Sequence, residues 1–163
     1  MIKTELLEII ANGENSGVEF KRDYIRPEHL AKEIVTMANL HGGKILIGVE
    51  DNDSISGIQR PDLETWIMDT VFRYYVHPML LPYYGEITIE DGQIAVVSFD
   101  QGTAKPYALR YNGREEIYIR VGTTSRLASR EQQLRLFETG EMCFTLKRFL
   151  FQGHSLTVWI NIA

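Results

Sequence analysis

The chain has 163 residues, 44% of them hydrophobic and 24% charged, with a formal net charge of -5. That length suits one domain with a core able to fold without staples, the balance excludes disorder and a fibrous architecture, and the acidic total argues against coating nucleic acid through overall charge. Cys143 is the only cysteine, which excludes an internal disulfide and a cysteine-based zinc site and fits a reducing compartment.

Residues 4–12 place Leu6, Leu7, Ile9 and Ile10 behind Thr4, with Gly13 following, which predicts a short amphipathic helix capped by Thr4. No apolar run reaches the roughly 18 residues of a membrane span, and this acidic opening lacks the basic-then-apolar order of a signal peptide. The expectation is a cytoplasmic protein with no membrane partner. Gly13–Gly17 is rich in turn formers, and Val18, Glu19, Phe20 and Lys21 then alternate as a strand with Val18 and Phe20 inward. Pro27 suits a first helical turn, and Leu30, Ile34, Val35 and Ala38 keep helical spacing until Gly42 stops the helix. Ile45–Val49 is an unbroken apolar run of the kind found in a central, doubly covered strand.

Asp51–Ser54 reads as a turn, and Pro61 opens a third helix carrying Leu63, Trp66, Ile67, Val71 and Tyr74. Alternation on either side of Asp91-Gly92 predicts one hairpin over 85–99, and Asn112-Gly113 predicts a second joining 107–111 to 115–121. In the later strand Tyr118 and Arg120 face away from Ile117, Ile119 and Val121. Ser129 and Gln132 form a capping box before Leu134 and Phe137, and Gly140 ends the last helix. The pattern describes an α/β domain over 1–140, a mixed sheet with two hairpins and flanking helices. The apolar tail at 141–163 is an added element or a dimer contact.

Charge is unevenly spread. Between Glu50 and Asp69 six acids face one base, whereas from Gln101 to Arg135 seven bases face three acids. Lys105, Arg110, Arg120 and Arg126 in the basic stretch could contact phosphates, together with Lys21 and Arg22, and Tyr118 could stack on an unpaired base. A merely solvated basic face is the competing reading.

Glu19 and Lys21 lie two apart and share a strand face, and Asp51 follows the end of the buried strand, where side chains converge outside an α/β core. Glu14 can join them if the turn at 13–17 folds back. Three carboxylates beside a lysine form a catalytic and metal-ligand set suited to Mg²⁺ or Mn²⁺, with Lys21 facing a phosphate. A turn cap, a surface ion pair and an Asx turn would use the same residues without chemistry. Gly42 and Gly43 are a weak candidate for a backbone phosphate nest, since a helix stop explains them better. No tightly bound organic cofactor is expected.

The segments Glu14-Asn-Ser-Gly-Val-Glu19-Phe-Lys21, Ala38-Asn39-Leu-His-Gly42-Gly43-Lys-Ile-Leu-Ile-Gly48-Val49-Glu50-Asp51, Gly57, Lys105-Pro106 and Tyr118-Ile-Arg120-Val-Gly122-Thr-Thr-Ser125-Arg126-Leu-Ala128 together resemble the Schlafen-type AlbA-like domain. The likeness covers about residues 1–140. It implies a single lobe with a mixed sheet and helices, a DNA- or RNA-binding and often regulatory role, and in some relatives ATP binding. In animal Schlafens that cut transfer RNA, the metal-dependent endoribonuclease site has two glutamates and an aspartate, which fall on Glu14, Glu19 and Asp51. Those nucleases pair two lobes into a clamp, so a lone lobe would have to form a homodimer to do the same. Glu50 and Asn15 depart from the family's usual aspartate and serine, and the tail after Glu141 follows no shared pattern.

Overall fold

The computed structural model describes residues 2–140, so the tail at 141–163 lies outside the described residues. The chain runs through α1 (Lys3–Asn12), β1 (Val18–Lys21), α2 (Pro27–Leu40) and β2 (Gly42–Ile47). A short α3 (Leu63–Thr65) widens into π-helical turns over Trp66–Tyr75. Then come β3 (Val76–His77), β4 (Tyr83–Ile89), β5 (Gly92–Asp100), β6 (Ala108–Tyr111), β7 (Arg114–Glu116), β8 (Tyr118–Val121), β9 (Thr124–Leu127) and α4 (Arg130–Thr139).

The main sheet has the order β1-β2-β5-β4. β1 and β2 are parallel, and the other two pairings are antiparallel. The expected central strand is indeed internal, because its side chains are apolar on both faces. Ile45 and Ile47 meet α2 and the 66–75 helix through Ile34, Met37 and Ile67. Leu46 joins Phe20, Ile94, Leu6 and Ile10 beneath α1. Burying these side chains contributes about 1.5–3 kcal/mol each before chain entropy is counted. Among the described residues no helix is long and apolar enough to cross a membrane.

Several local expectations change. α1 begins one residue early with Ile2 at its N-cap and no side-chain cap, so Thr4 lies inside the helix. The expected second hairpin is shorter, because pairing across Asn112-Gly113 stops at Glu116. Ile117 breaks the strand, and β8 pairs instead with β9 across Gly122-Thr123, which makes a third hairpin. The capping box forms as read, with Ser129 and Gln132 exchanging both bonds.

Gly43 is where β2 passes closest to its surroundings. A Cβ there would fall 2.8 Å from the Gly17 carbonyl oxygen and into the terminal methyl of Met37. Gly42 adopts φ +77° against the β5 backbone. The glycine pair is thus accounted for by strand packing. Gly43→Ala is expected to destabilise the fold by roughly 1–3 kcal/mol as overpacking does, read as a lower urea midpoint; an unchanged midpoint would remove this explanation of the glycine.

Candidate functional site

β1 supplies the centre of the site. Its register sets Glu19 opposite Ile45 and Lys21 opposite Ile47, so both side chains face α2 rather than α1. The shared face predicted from the sequence is present, but it is covered by α2, β8 and β9, and Glu19 is buried. The Lys21 Nζ donates to Glu19 Oε1 at 2.7 Å and to the Phe20 carbonyl at 2.7 Å, and stands 3.8 Å from Glu14. The turn at 13–17 does fold back. Asn15 and Val18 exchange backbone bonds, and Gly17 donates to the Asn15 side chain. Glu14 can then accept the Phe20 N–H at 2.8 Å.

Asp51 is reached by a tight loop. Gly48, at φ +99°, ends β2, and the Glu50 N–H bonds to Ser54. Asn52, rather than Asp51, accepts the Ser54 bonds that hold this turn. Asp51 is exposed and lines a hollow of about 290 Å³ with Lys21, Arg22, Tyr24, Arg26 and His29. The four residues Glu14, Glu19, Lys21 and Asp51 are therefore brought to one end of the parallel strand pair.

The Glu14 carboxyl is held above its ordinary 4.5, first by partial burial and then by the charges of Glu19 and Asp51, against the Phe20 bond and Lys21. A raised carboxyl pKa favours the folded state below about 4.5 and loses that contribution as pH rises through the folded value. Glu14→Gln is expected to flatten this decline, visible as a smaller fall in Tm between pH 4.5 and 7 than in the wild type. An unchanged slope would mean that Glu14 does not titrate in the folded state as described.

Arg120 is not a surface contact. Its side chain is 0% exposed and donates to Glu19 Oε2 at 2.6 Å, Glu33 Oε2 at 3.1 Å and the Asn15 carbonyl at 3.0 Å. The Ser125 hydroxyl on β9 completes the cluster by donating to the same Glu33 oxygen. Alternation in β8 read Arg120 as solvent-facing, yet that face packs on α2 and β1. Lys105 is corrected likewise: it is buried, donates to the Leu40 carbonyl at the end of α2, and its ammonium pKa is lowered by desolvation. Tyr118 is not a free stacking platform, because Lys32 lies 5.2 Å from its ring centre and its hydroxyl bonds Glu116. Burial and that carboxylate push the phenol up to about 12.

Arg22 is half exposed and pairs with Glu50 at 2.6 Å. Arg110 pairs across its hairpin with Glu115. Arg126 is exposed and has no ion pair among the described residues. Gly42 and Gly43 border a separate hollow of about 660 Å³ with Lys44, Leu81 and Tyr83. Four residues of the 290 Å³ hollow were missed from the sequence, Tyr24, Ile25, Arg26 and His29, of which Tyr24 is 66% exposed. The signal for the first three was the run Lys21-Arg22-Asp23-Tyr24-Ile25-Arg26, bases flanking an aromatic just after a strand.

The carboxylates do not fit a Mg²⁺ or Mn²⁺ centre as arranged. Both Glu19 oxygens are engaged by Lys21 and Arg120, and one Glu14 oxygen by the Phe20 N–H. Among the described residues no group of three or more His, Cys, Asp or Glu side chains is disposed to hold a metal ion.

Comparison with solved structures finds the same fold in two bacterial proteins. The DIP2311 protein from Corynebacterium diphtheriae superimposes with a TM-score of 0.62 at 17% identity over 84% of this chain, which spans only 28% of that longer protein. The N-terminal domain of a RecG-related protein from Nitrosomonas europaea, named for an ATP-dependent DNA helicase, gives a TM-score of 0.55 at 21% identity over 77% of this chain and 92% of its own. No curated protein matches the chain. The sequence profile of the Schlafen, AlbA_2 family matches residues 14–129. That span runs from Glu14 through the Arg120 network to the cap of α4, and with it the chain belongs to the Schlafen AlbA_2 family.

Proposed function

We propose that the protein is a DNA- or RNA-binding domain with a regulatory role, and that it holds backbone phosphates at Lys21, Arg22, Arg26 and Arg126. Family membership carries this reading. The hollow that gathers Lys21, Arg22 and Arg26 around an exposed Tyr24 supports it, since cations with an aromatic face suit a phosphate and its base. Arg126 stands beside Ser125, which joins the network that holds Glu19. Glu19 is neutralised from two sides, so its charge does not oppose a phosphate at Lys21. The helicase-related name of the Nitrosomonas protein, a neighbour in fold, is consistent with such a role.

Four phosphate contacts predict an affinity loss of roughly 50- to 150-fold between about 50 and 200 mM salt. Fluorescence anisotropy with labelled single-stranded and duplex oligonucleotides measures it, and Lys21→Ala should lower the salt slope by about one contact. Absence of binding at the lower salt sinks the proposal. Endoribonuclease action on structured RNA such as tRNA would require Glu19 to exchange Lys21 for a metal. Cleavage with Mn²⁺ that vanishes in Asp51→Ala would establish it.

A further inference from the structure

The sheet's two edges differ. Both β1 and β4 end the order β1-β2-β5-β4 and have no further strand outside them among the described residues, but at β1 Glu14 accepts the Phe20 N–H and Lys21 donates to the Phe20 carbonyl, whereas no described side chain takes a β4 backbone group. An open edge presents unpaired N–H and C=O groups, and monomeric proteins commonly blunt it with lysine, proline, a bulge or an inward charge. The β4 sequence Tyr83-Tyr84-Gly85-Glu86-Ile87-Thr88-Ile89 has no basic residue and no proline, and its pairing with β5 is continuous over all seven positions. Glu86, its one charge, is held by the Tyr84 hydroxyl and the Gln93 amide. Leading into the strand, Leu81 is 78% exposed, and Tyr83 at its start is 82% exposed.

We infer that the β4 edge pairs antiparallel with the β4 edge of a second copy of this chain, about a two-fold axis at Gly85. Residues directly opposite in such a pair must share a sheet face, so a symmetric register is centred on a residue rather than between two. Centring on Glu86 sets two carboxylates against each other, which opposes pairing. Centring on Gly85 sets Tyr84 opposite the partner's Glu86 and Tyr83 opposite the partner's Ile87, each twice by symmetry. The first pairing sets an uncharged phenol, rather than a like charge, opposite each carboxylate. The second lays an exposed aromatic ring over a half-buried β-branched side chain, a favourable cross-strand combination. At the axis, a Cβ added to Gly85 would have no atom within 4 Å among the described residues. β1 and its site stand at the far edge of each sheet, so the pairing leaves them open, and it does not depend on nucleic-acid binding.

Light scattering on the full chain across a concentration series is expected to give twice the 18.7 kDa chain mass. Gly85→Lys has room in the single chain, retains its fold by circular dichroism, and is expected to return the mass to one chain by placing two ammonium groups at the axis. Tyr83→Lys, at an exposed position, should do the same. Gly85→Cys is expected to cross-link to itself on mild oxidation, since opposed strand residues lie about 4.5–5.5 Å apart at Cα, within disulfide reach; the wild type, with Cys143 alone, is its control. A wild type that stays single at every concentration overturns the inference. So does a dimer that survives both lysine substitutions, or one in which Gly85→Cys forms no additional cross-link.

Discussion

Arg120→Ala is expected to destabilise the domain by roughly 3–5 kcal/mol, the cost of removing one partner from a buried charge cluster. The guanidinium is wholly enclosed and is the cation shared by Glu19 and Glu33, whose side chains are 9% and 15% exposed. Without it, among the described residues Glu19 keeps only Lys21, while Glu33 keeps only the Ser125 hydroxyl. The Asn15 carbonyl also loses the shorter of its two donors and keeps the Val18 N–H at 3.4 Å, so the turn that brings Glu14 to the site loses one tie. Arg120→Lys should recover little of this, because a single ammonium cannot span three acceptors held by a planar fork. The wild-type cluster is not ideal either, since Arg120 Nε is buried without a partner among the described residues. A triple change of Arg120→Met with Glu19→Met and Glu33→Met is therefore expected to regain much of the loss, as apolar replacement of a whole buried cluster commonly does. Urea unfolding of the three variants measures the series. A loss under about 1 kcal/mol for Arg120→Ala would mean that solvent reaches the cluster and that it behaves as a surface pair.

What the sequence revealed and what it hid divide by range. The central β2 run, the stop at Gly42, the Asn112-Gly113 turn and the Ser129 capping box each depend on residues a few positions apart, and each is present. Arg120 depends on Glu33 and Glu19, 87 and 101 positions earlier in the chain. Its alternation with Ile119 correctly reports a face, but alternation cannot tell a face open to water from one closed by another element. Lys105 misleads for a similar reason: a long apolar stem with one ammonium suits a helix C-terminus as well as a phosphate. Asp51 and Glu14 were placed near Lys21 by strand ends and a turn, and the chain brings them there. Yet residue types alone did not show that Lys21 and Arg120, both cations of the chain itself, would take the Glu19 oxygens.

Asn39→Ala is expected to cost roughly 3 kcal/mol or more, because it strands three backbone groups at once and each such group costs about 1–3 kcal/mol when buried without a partner. Asn39 lies near the end of α2, where its Nδ2 donates to the Tyr107 carbonyl at 2.8 Å and the Tyr118 carbonyl at 2.9 Å. Its Oδ1 accepts the Tyr107 N–H at 2.7 Å. One side chain thereby ties the helix to the segment entering β6 and to the first residue of β8. Only an amide offers donors and an acceptor in this geometry. Asn39→Asp, nearly identical in shape, should be at least as damaging, since a carboxylate would face two carbonyl oxygens with no proton to share. The consequence reaches the candidate site through β8: if Tyr118 is no longer fixed, Arg120 two residues later loses its registration on Glu19, and Lys21 loses the braced carboxylate beside it. Asn39→Ala should therefore weaken oligonucleotide binding as well as stability, whereas a substitution at exposed Thr139 on α4 should leave both unchanged. Urea unfolding and anisotropy on the same preparations separate the outcomes. A stability loss with binding intact would confine Asn39 to holding the fold and would show that the Lys21 hollow is set by β1 and α2 alone.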